Sequence, residues 1–93
     1  MINKNILRVR TQLDKLDNSF LKLIKKRTSL VNIVLKNKKF KKNIVDKKRI
    51  SKILKTIHKK SKKSGIDTMI TKRIWTSMIK AYIDYEYRNF KKK

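Results

Sequence analysis

The longest regular pattern in the chain is a series of apolar residues spaced alternately three and four positions apart. Its members are Ile6, Val9, Leu13, Leu16, Phe20, Leu23, Leu30 and Val34. This spacing places one apolar stripe along one side of a helix, and it predicts a first helix from about residue 4 to about residue 39. At about 1.5 Å per residue this helix is about 50 Å long. A compact chain of this size has a radius of gyration of only about 12 Å, so we expect a second copy of the chain to cover the overhanging stripe.

Two shorter helices are predicted after residues 36–43, where the apolar spacing is lost. Asp46 and Asp67 are suited to cap the N-termini of these helices, and Ser64-Gly65 is suited to end the first of them. The apolar stripes consist of Ile50, Ile53, Leu54 and Ile57 in the second helix, and of Ile70, Ile74, Trp75, Met78, Ile79 and Tyr82 in the third, which should end near Phe90. No segment alternates as a strand does. The prediction is an all-α, single-domain fold over residues 1–93, with a core at about 6–90, a Lys-rich C-terminal tail and an intertwined homodimer.

Two charged residues interrupt these apolar faces. Arg27 lies between Leu23 and Leu30, where the spacing predicts an apolar residue, and the series of the third helix continues from Tyr82 to Glu86, the only glutamate in the chain. An unpaired guanidinium is costly to remove from water, so Arg27 requires an anion. Either Arg27 and Glu86 form a buried ion pair, or both line a pocket for a ligand.

The positions of two further cations favour the pocket. Lys38 follows Arg27 by about 16 Å along the predicted helix and about 20° around it, so both side chains could reach one small anion. Arg10 precedes Arg27 by about 25 Å and about 100° around the helix, so we expect it to serve the pocket of the other subunit. Without further information Lys38, beside Lys36 and Lys39, is better explained as a solvated lysine. Asp46 could likewise be only a helix cap, and Arg49 only an exposed helix residue.

The net charge of +23 points at first to nucleic acid or to an anionic membrane surface. However, 23 lysines accompany 13 isoleucines and 7 asparagines, with one alanine, one glycine and no proline, which is typical of AT-rich codon usage. Lysines occur on all predicted exposed faces and no aromatic platform lies among them. A basic helical binding module therefore stays an alternative, as does a structural dimerisation domain, and we expect no specific nucleic acid and no membrane as partners.

The remaining signals are negative. The chain has no cysteine, no signal-peptide pattern and no apolar run long enough to span a membrane, so a cytoplasmic location is expected. No nucleotide-binding or metal-binding motif is present, and the single histidine, His58, has no carboxylate at ligand spacing. We therefore expect neither a metal nor a cofactor.

The order of these motifs resembles the AroQ-type, all-α chorismate mutase family. The similar segments are ILRVRTQLDKLDNSFLKLIKKRTSLV, Lys38, IVDKKRISKIL, SGIDTMIT and IWTSMIKAYIDYE, and together they cover the chain from about Ile6 to Phe90. The resemblance implies a dimer of three-helix subunits whose substrate is the dianion chorismate. This substrate rearranges to prephenate by a concerted [3,3] shift without a covalent intermediate. Such an enzyme holds the reactive conformer and stabilises the charge that grows on the ether oxygen.

The resemblance also implies a role for each candidate residue. Arg27 and Arg10 of the other subunit would bind the carboxylates, and Lys38 and Glu86 would face the ether oxygen as the catalytic pair. Arg49 would bind a carboxylate, and Asp46 would support Lys38 or the ring hydroxyl. Because Glu86 donates a hydrogen bond only when protonated, activity should fall as the pH rises.

One position departs from the family pattern. The family usually has glutamate directly after the arginine of the second helix, whereas this chain has Ile50. The related isochorismate pyruvate lyases, which form salicylate and pyruvate, also have an apolar residue there, and their last helix has a Tyr-Ile run similar to that at Tyr82. The sequence thus favours a chorismate mutase, with the lyase as the alternative.

Overall fold

The computed structural model describes residues 3–91 and contains three α-helices. They are α1 (Lys4–Lys36), α2 (Lys47–Lys63) and α3 (Thr68–Asn89), and a short 3-10 helix, Lys41–Asn43, lies between the first two. The predicted all-α class with a long first helix is confirmed. Lys92 and Lys93 of the predicted tail lie outside the described residues. No helix within residues 3–91 has both the length and the apolar character that a membrane span needs.

The chain divides into two structural units, Met1–Ile33 and Val34–Lys93. Within the first, α1 begins after Asn3, whose side-chain oxygen accepts a hydrogen bond from the Ile6 N–H at 2.9 Å. The apolar stripe of α1 is exposed in the single chain: Leu16 is 61% exposed and Phe20 is 54% exposed. Leu35, in the second unit, is the one residue of α1 that is buried.

The predicted end of the first helix was wrong by about one turn. α1 ends at Lys36, and the Lys38 N–H donates to the Leu35 carbonyl in a tighter turn instead of continuing the helix. The chain then becomes extended at Phe40. The loop that follows the early end of α1 buries Ile44, which is only 3% exposed, whereas Phe40 is 58% exposed. The longer predicted helix had placed Lys38 on the same face as Arg27. Because α1 ends before Lys38, the two residues do not share a helix face.

The predicted boundaries of α2 are confirmed. The Asp46 carboxylate accepts a hydrogen bond from the Arg49 N–H at 3.0 Å and so caps the helix. At the other end Gly65 has a φ of +69°, a left-handed conformation that glycine adopts without strain. The Ile66 N–H then donates to the Ser61 carbonyl at 2.8 Å, which closes the last turn of the helix.

α3 begins at its predicted cap and packs against α2. The Asp67 carboxylate accepts hydrogen bonds from the Met69 and Ile70 N–H groups at 2.8 and 3.4 Å. Near this end the hydroxyls of Ser61 and Thr71 form a buried hydrogen bond of 2.8 Å between the two helices. The stripe residues that are half-buried in this unit are Ile50, Ile53, Leu54, Ile57, Trp75, Met78, Ile79 and Tyr82.

Two residues of the predicted inward face of α3 lie elsewhere. Ile70 is 55% exposed and Ile74 is 42% exposed in the single chain. Thr71, and not Ile70, is the residue that meets Ser61 of α2. Because residues four apart share a helix face, Trp75 follows Thr71 on the packed side, and Ile70 and Ile74 share the neighbouring exposed side.

Candidate functional site

A lysine and a glutamate from distant parts of the chain meet within the second unit. The Lys38 ammonium nitrogen lies 3.1 Å from a Glu86 carboxylate oxygen, and the two side chains are 19% and 10% exposed. The expected inward position of Glu86 on the third helix is confirmed. Since partial burial weakens the competition from water, this charge-assisted hydrogen bond is stronger than one on an open surface.

The main chain of the loop supplies a second acceptor for Lys38. Its ammonium nitrogen lies 3.2 Å from the Ile44 carbonyl oxygen. An ammonium group has three N–H donors, and these two acceptors account for two of them. The sequence analysis missed Ile44. The available signal was the apolar Ile44 directly after the polar run from Lys41 to Asn43. An apolar residue at such a place in a loop indicates a side chain that is buried in the core.

An open pocket of about 900 Å³ lies beside this pair and is lined by the loop and by the start of α2. Lys38 and Asp46 are among its lining residues, together with Asn43 and Lys47. The pocket gives a small molecule access to Lys38. Its lining is mostly cationic and amide, which favours an anionic guest.

The other predicted residues of the second unit lie near the start of α2 and the end of α3. Asp46 and Arg49 are exposed, and the Asp46 carboxylate is engaged as the helix cap. Ile50 is half-buried. Tyr82 is half-buried one helical turn before Glu86, and its ring contacts that of Tyr85 edge to face, with centroids 6.3 Å apart.

The two remaining predicted cations belong to the first unit. Arg10 and Arg27 are both exposed on α1, and Leu23 and Leu30, which flank Arg27, are 63% and 59% exposed. Arg27 was expected on a covered face, and in the single chain that face is open. The structure thus brings Lys38 and Glu86 together, whereas Arg10 and Arg27 lie exposed on the part of α1 that belongs to the first unit.

The chemistry available at the pair is electrostatic. Within residues 3–91 no three histidine, aspartate or glutamate side chains lie close enough to hold a metal ion. An ammonium group and a carboxyl group side by side can polarise an oxygen atom of a guest, and the carboxyl can donate a hydrogen bond when it is protonated. This arrangement suits a reaction in which negative charge develops on an oxygen.

Comparison with known proteins identifies a matching family. Residues 9–87, more than four-fifths of the chain, match the model of a family described as Chorismate mutase type II. No curated protein and no solved structure matches the chain significantly. The match includes every predicted site residue.

Proposed function

The chain belongs to the chorismate mutase type II family, and on this basis we propose that it converts chorismate to prephenate. Family membership implies an enzyme that acts on a chorismate-type substrate. The observation that carries the proposal is the partly buried contact between Lys38 and Glu86, because it places a carboxyl beside a cation that lines an open pocket. The reaction is a concerted rearrangement, so it requires positioning and electrostatic stabilisation and no nucleophile.

Lys38 and Glu86 are proposed to act on the breaking ether bond. Two N–H groups of Lys38 point to Ile44 and Glu86, and the third would donate to the ether oxygen. Glu86, in the molecules in which its carboxyl is protonated instead of ion-paired with Lys38, would donate a second hydrogen bond to the same oxygen. Both donors would bind more strongly as negative charge grows on that oxygen, which lowers the barrier and not only the energy of the bound substrate.

The arginines are proposed to bind the two carboxylates of the substrate. Arg27 and Arg49 of one subunit, with Arg10 of a second copy of the chain, would provide charge-assisted and bidentate hydrogen bonds. Asp46 would support Lys38 or the ring hydroxyl through the carboxylate oxygen that does not cap α2. Ile50 and Tyr82 would contact the apolar part of the substrate. A ligand held from several sides is fixed in its compact reactive conformer.

A homodimer is proposed because the stripe of α1 is uncovered. Leu13 is 51% exposed, and Leu16, Leu23 and Phe20 are exposed to a similar or greater extent. Each large apolar side chain contributes about 1.5 to 3 kcal/mol when it is fully removed from water. A second copy with the same stripe can cover these residues and at the same time deliver its Arg10.

Ile50 favours a second candidate, isochorismate pyruvate lyase. An isoleucine cannot accept the hydrogen bond of a ring hydroxyl, a contact that the usual glutamate makes in the resembling mutases. Ile50 is half-buried on α2 in the same unit as Lys38 and Glu86. The same cationic pocket would then hold isochorismate, and the products would be salicylate and pyruvate.

Product identification distinguishes the two activities. The purified protein is incubated separately with chorismate and with isochorismate, and the products are identified by NMR. We expect prephenate from chorismate, and we expect Lys38→Met to reduce its rate of formation by about 10²- to 10³-fold, as for loss of one oxyanion donor. The matched control is Lys80→Met, an exposed lysine of α3 that does not line this pocket, and it should retain the rate. Salicylate and pyruvate from isochorismate, without prephenate from chorismate, would assign the lyase instead.

A further inference from the structure

Positive charge is denser on α2 than on α1, which also has nine lysines and arginines but over 33 residues and with two aspartates, or on α3. α2 has nine lysines and arginines among 17 residues and no acidic residue, whereas α3 has four among 22 residues together with Asp84 and Glu86. Codon usage acts equally on both helices, so it does not explain this difference. The charge of α2 therefore requires an explanation of its own.

Four of the eight lysines of α2 form a row on one face. Lys48, Lys52, Lys55 and Lys59 follow one another at spacings of four, three and four, and all four are exposed. The row spans about 16 Å along the helix axis. It lines an open groove of about 1020 Å³, and Lys72 of α3 also lines this groove. A straight row of this length matches a polymer of regularly spaced anions better than a small molecule with two or three charges.

We propose that this lysine row, defined as Lys48, Lys52, Lys55 and Lys59, is a docking surface for the phosphate backbone of a nucleic-acid duplex, without sequence preference. Duplex DNA carries one negative charge per about 1.7 Å of its axis, so several phosphates face a row of this length. The groove has no Phe, Tyr or Trp in its lining, so the stacking platforms that bind single strands are missing there. Contacts to phosphates alone give affinity and no sequence selection.

The packing of α2 argues against a membrane surface as the partner. A helix that lies on a membrane turns an exposed apolar face to the lipid. In α2 the apolar residues Ile50, Ile53, Leu54 and Ile57 are half-buried in the unit formed with α3, and no large apolar residue of α2 is exposed. The exposed side of the helix offers a row of four lysines, and Leu54 and Ile57 reach the groove only as half-buried side chains, which suits a hydrated polyanion better than lipid.

The test compares two variants of equal charge. In one, the four residues of the lysine row are changed to glutamine; in the control, four exposed lysines outside the apolar stripe of α1 are changed to glutamine, namely Lys4, Lys15, Lys22 and Lys25. Binding of a short labelled duplex DNA of mixed sequence is measured by fluorescence anisotropy between about 50 and about 200 mM salt. We expect the α2 variant to lose at least about tenfold in affinity and about 3 to 4 units of the salt slope, since each phosphate contact contributes about 0.9. The α1 variant should change much less.

A second measurement maps the contact on the protein with its wild-type sequence. Lysine acetylation is followed by mass spectrometry with and without the duplex, and the lysine row should be protected more strongly than the four control lysines of α1. Equal losses of DNA affinity in the two variants would show that the duplex is attracted by the total charge alone, and would overturn the proposal. Equal protection of the lysine row and of the four control lysines from acetylation would overturn it for the same reason. Tighter binding to anionic phospholipid vesicles than to the duplex would overturn it in favour of a membrane.

Discussion

The Lys38 ammonium nitrogen and a Glu86 carboxylate oxygen lie 3.1 Å apart although 48 residues separate them in the chain. The pair between Asp84 and Arg88 is of similar length, 3.0 Å, but joins neighbours on one helix whose side chains are 70% and 64% exposed. An exposed pair of this kind contributes little to stability. The Lys38–Glu86 pair is shielded from water, links the loop to α3 and lies at the proposed reaction centre.

Replacement of Glu86 by glutamine should alter the pH dependence of the proposed activity. In the wild-type protein the rate should fall as the pH rises, because only the protonated carboxyl donates a hydrogen bond to the ether oxygen. Glutamine donates through its amide at every pH, so the Glu86→Gln variant should lose this dependence. Initial rates of prephenate formation from about pH 5 to about pH 9 provide the measurement. A wild-type rate that is flat over this range would contradict the role of Glu86.

Breaking the buried pair should destabilise the fold more than breaking the exposed one. Lys38→Met leaves the Glu86 carboxylate without its cation in a place with little water, and the expected loss is about 1 to 3 kcal/mol in the free energy of unfolding. Arg88→Met, the matched change at the exposed pair, should cost less than about 1 kcal/mol. Urea denaturation followed by circular dichroism measures both. Equal losses in the free energy of unfolding for the two variants would mean that the Lys38–Glu86 contact is as well solvated as the surface pair.

Gly65 should be the most sensitive position of the turn between α2 and α3. Its φ of +69° is unfavourable for residues with a Cβ atom, and no atom lies within 4 Å of the place where that Cβ would be. Gly65→Ala should therefore cost about 1 to 2 kcal/mol through backbone conformation alone. Gly65→Asn should cost less, because asparagine tolerates this conformation better than alanine. Thermal unfolding of both variants checks the order, and a larger loss for asparagine would contradict it.

Local signals were sufficient to predict most of the fold. Asp46, Asp67 and Gly65 act through hydrogen bonds and dihedral angles a few residues away, so the sequence around each is enough to identify it. The end of α1 could not be predicted in this way, because neither the turn at Lys38 nor the burial of Ile44 follows from the local spacing of apolar residues. For the same reason the Ile44 carbonyl was missed as a partner of Lys38, although the spacing of α3 correctly placed Glu86 inward.

The apolar stripe of α1 should control the oligomeric state. Phe20→Glu places a charge in the middle of the stripe, where a covering subunit would have to desolvate it. We expect this variant to be a monomer at concentrations at which the wild-type protein is a dimer, as measured by light scattering after size exclusion. Lys22→Glu, a charged change of similar size outside the stripe, is the control and should remain dimeric. A wild-type protein that stays monomeric at high concentration would contradict the proposed assembly.

The pocket shared between subunits is tested most directly by mixing two inactive variants. Arg10→Ala and Arg27→Ala should each lose most of the activity, because each removes a carboxylate ligand from every site. After unfolding and joint refolding, a mixed dimer has one site with both arginines and one site with neither, so random pairing should restore about a quarter of the wild-type sites. Recovery to about this level supports a site built from Arg27 of one chain and Arg10 of the other. If the mixture stays as inactive as its components, each site is built from a single chain and the account is contradicted.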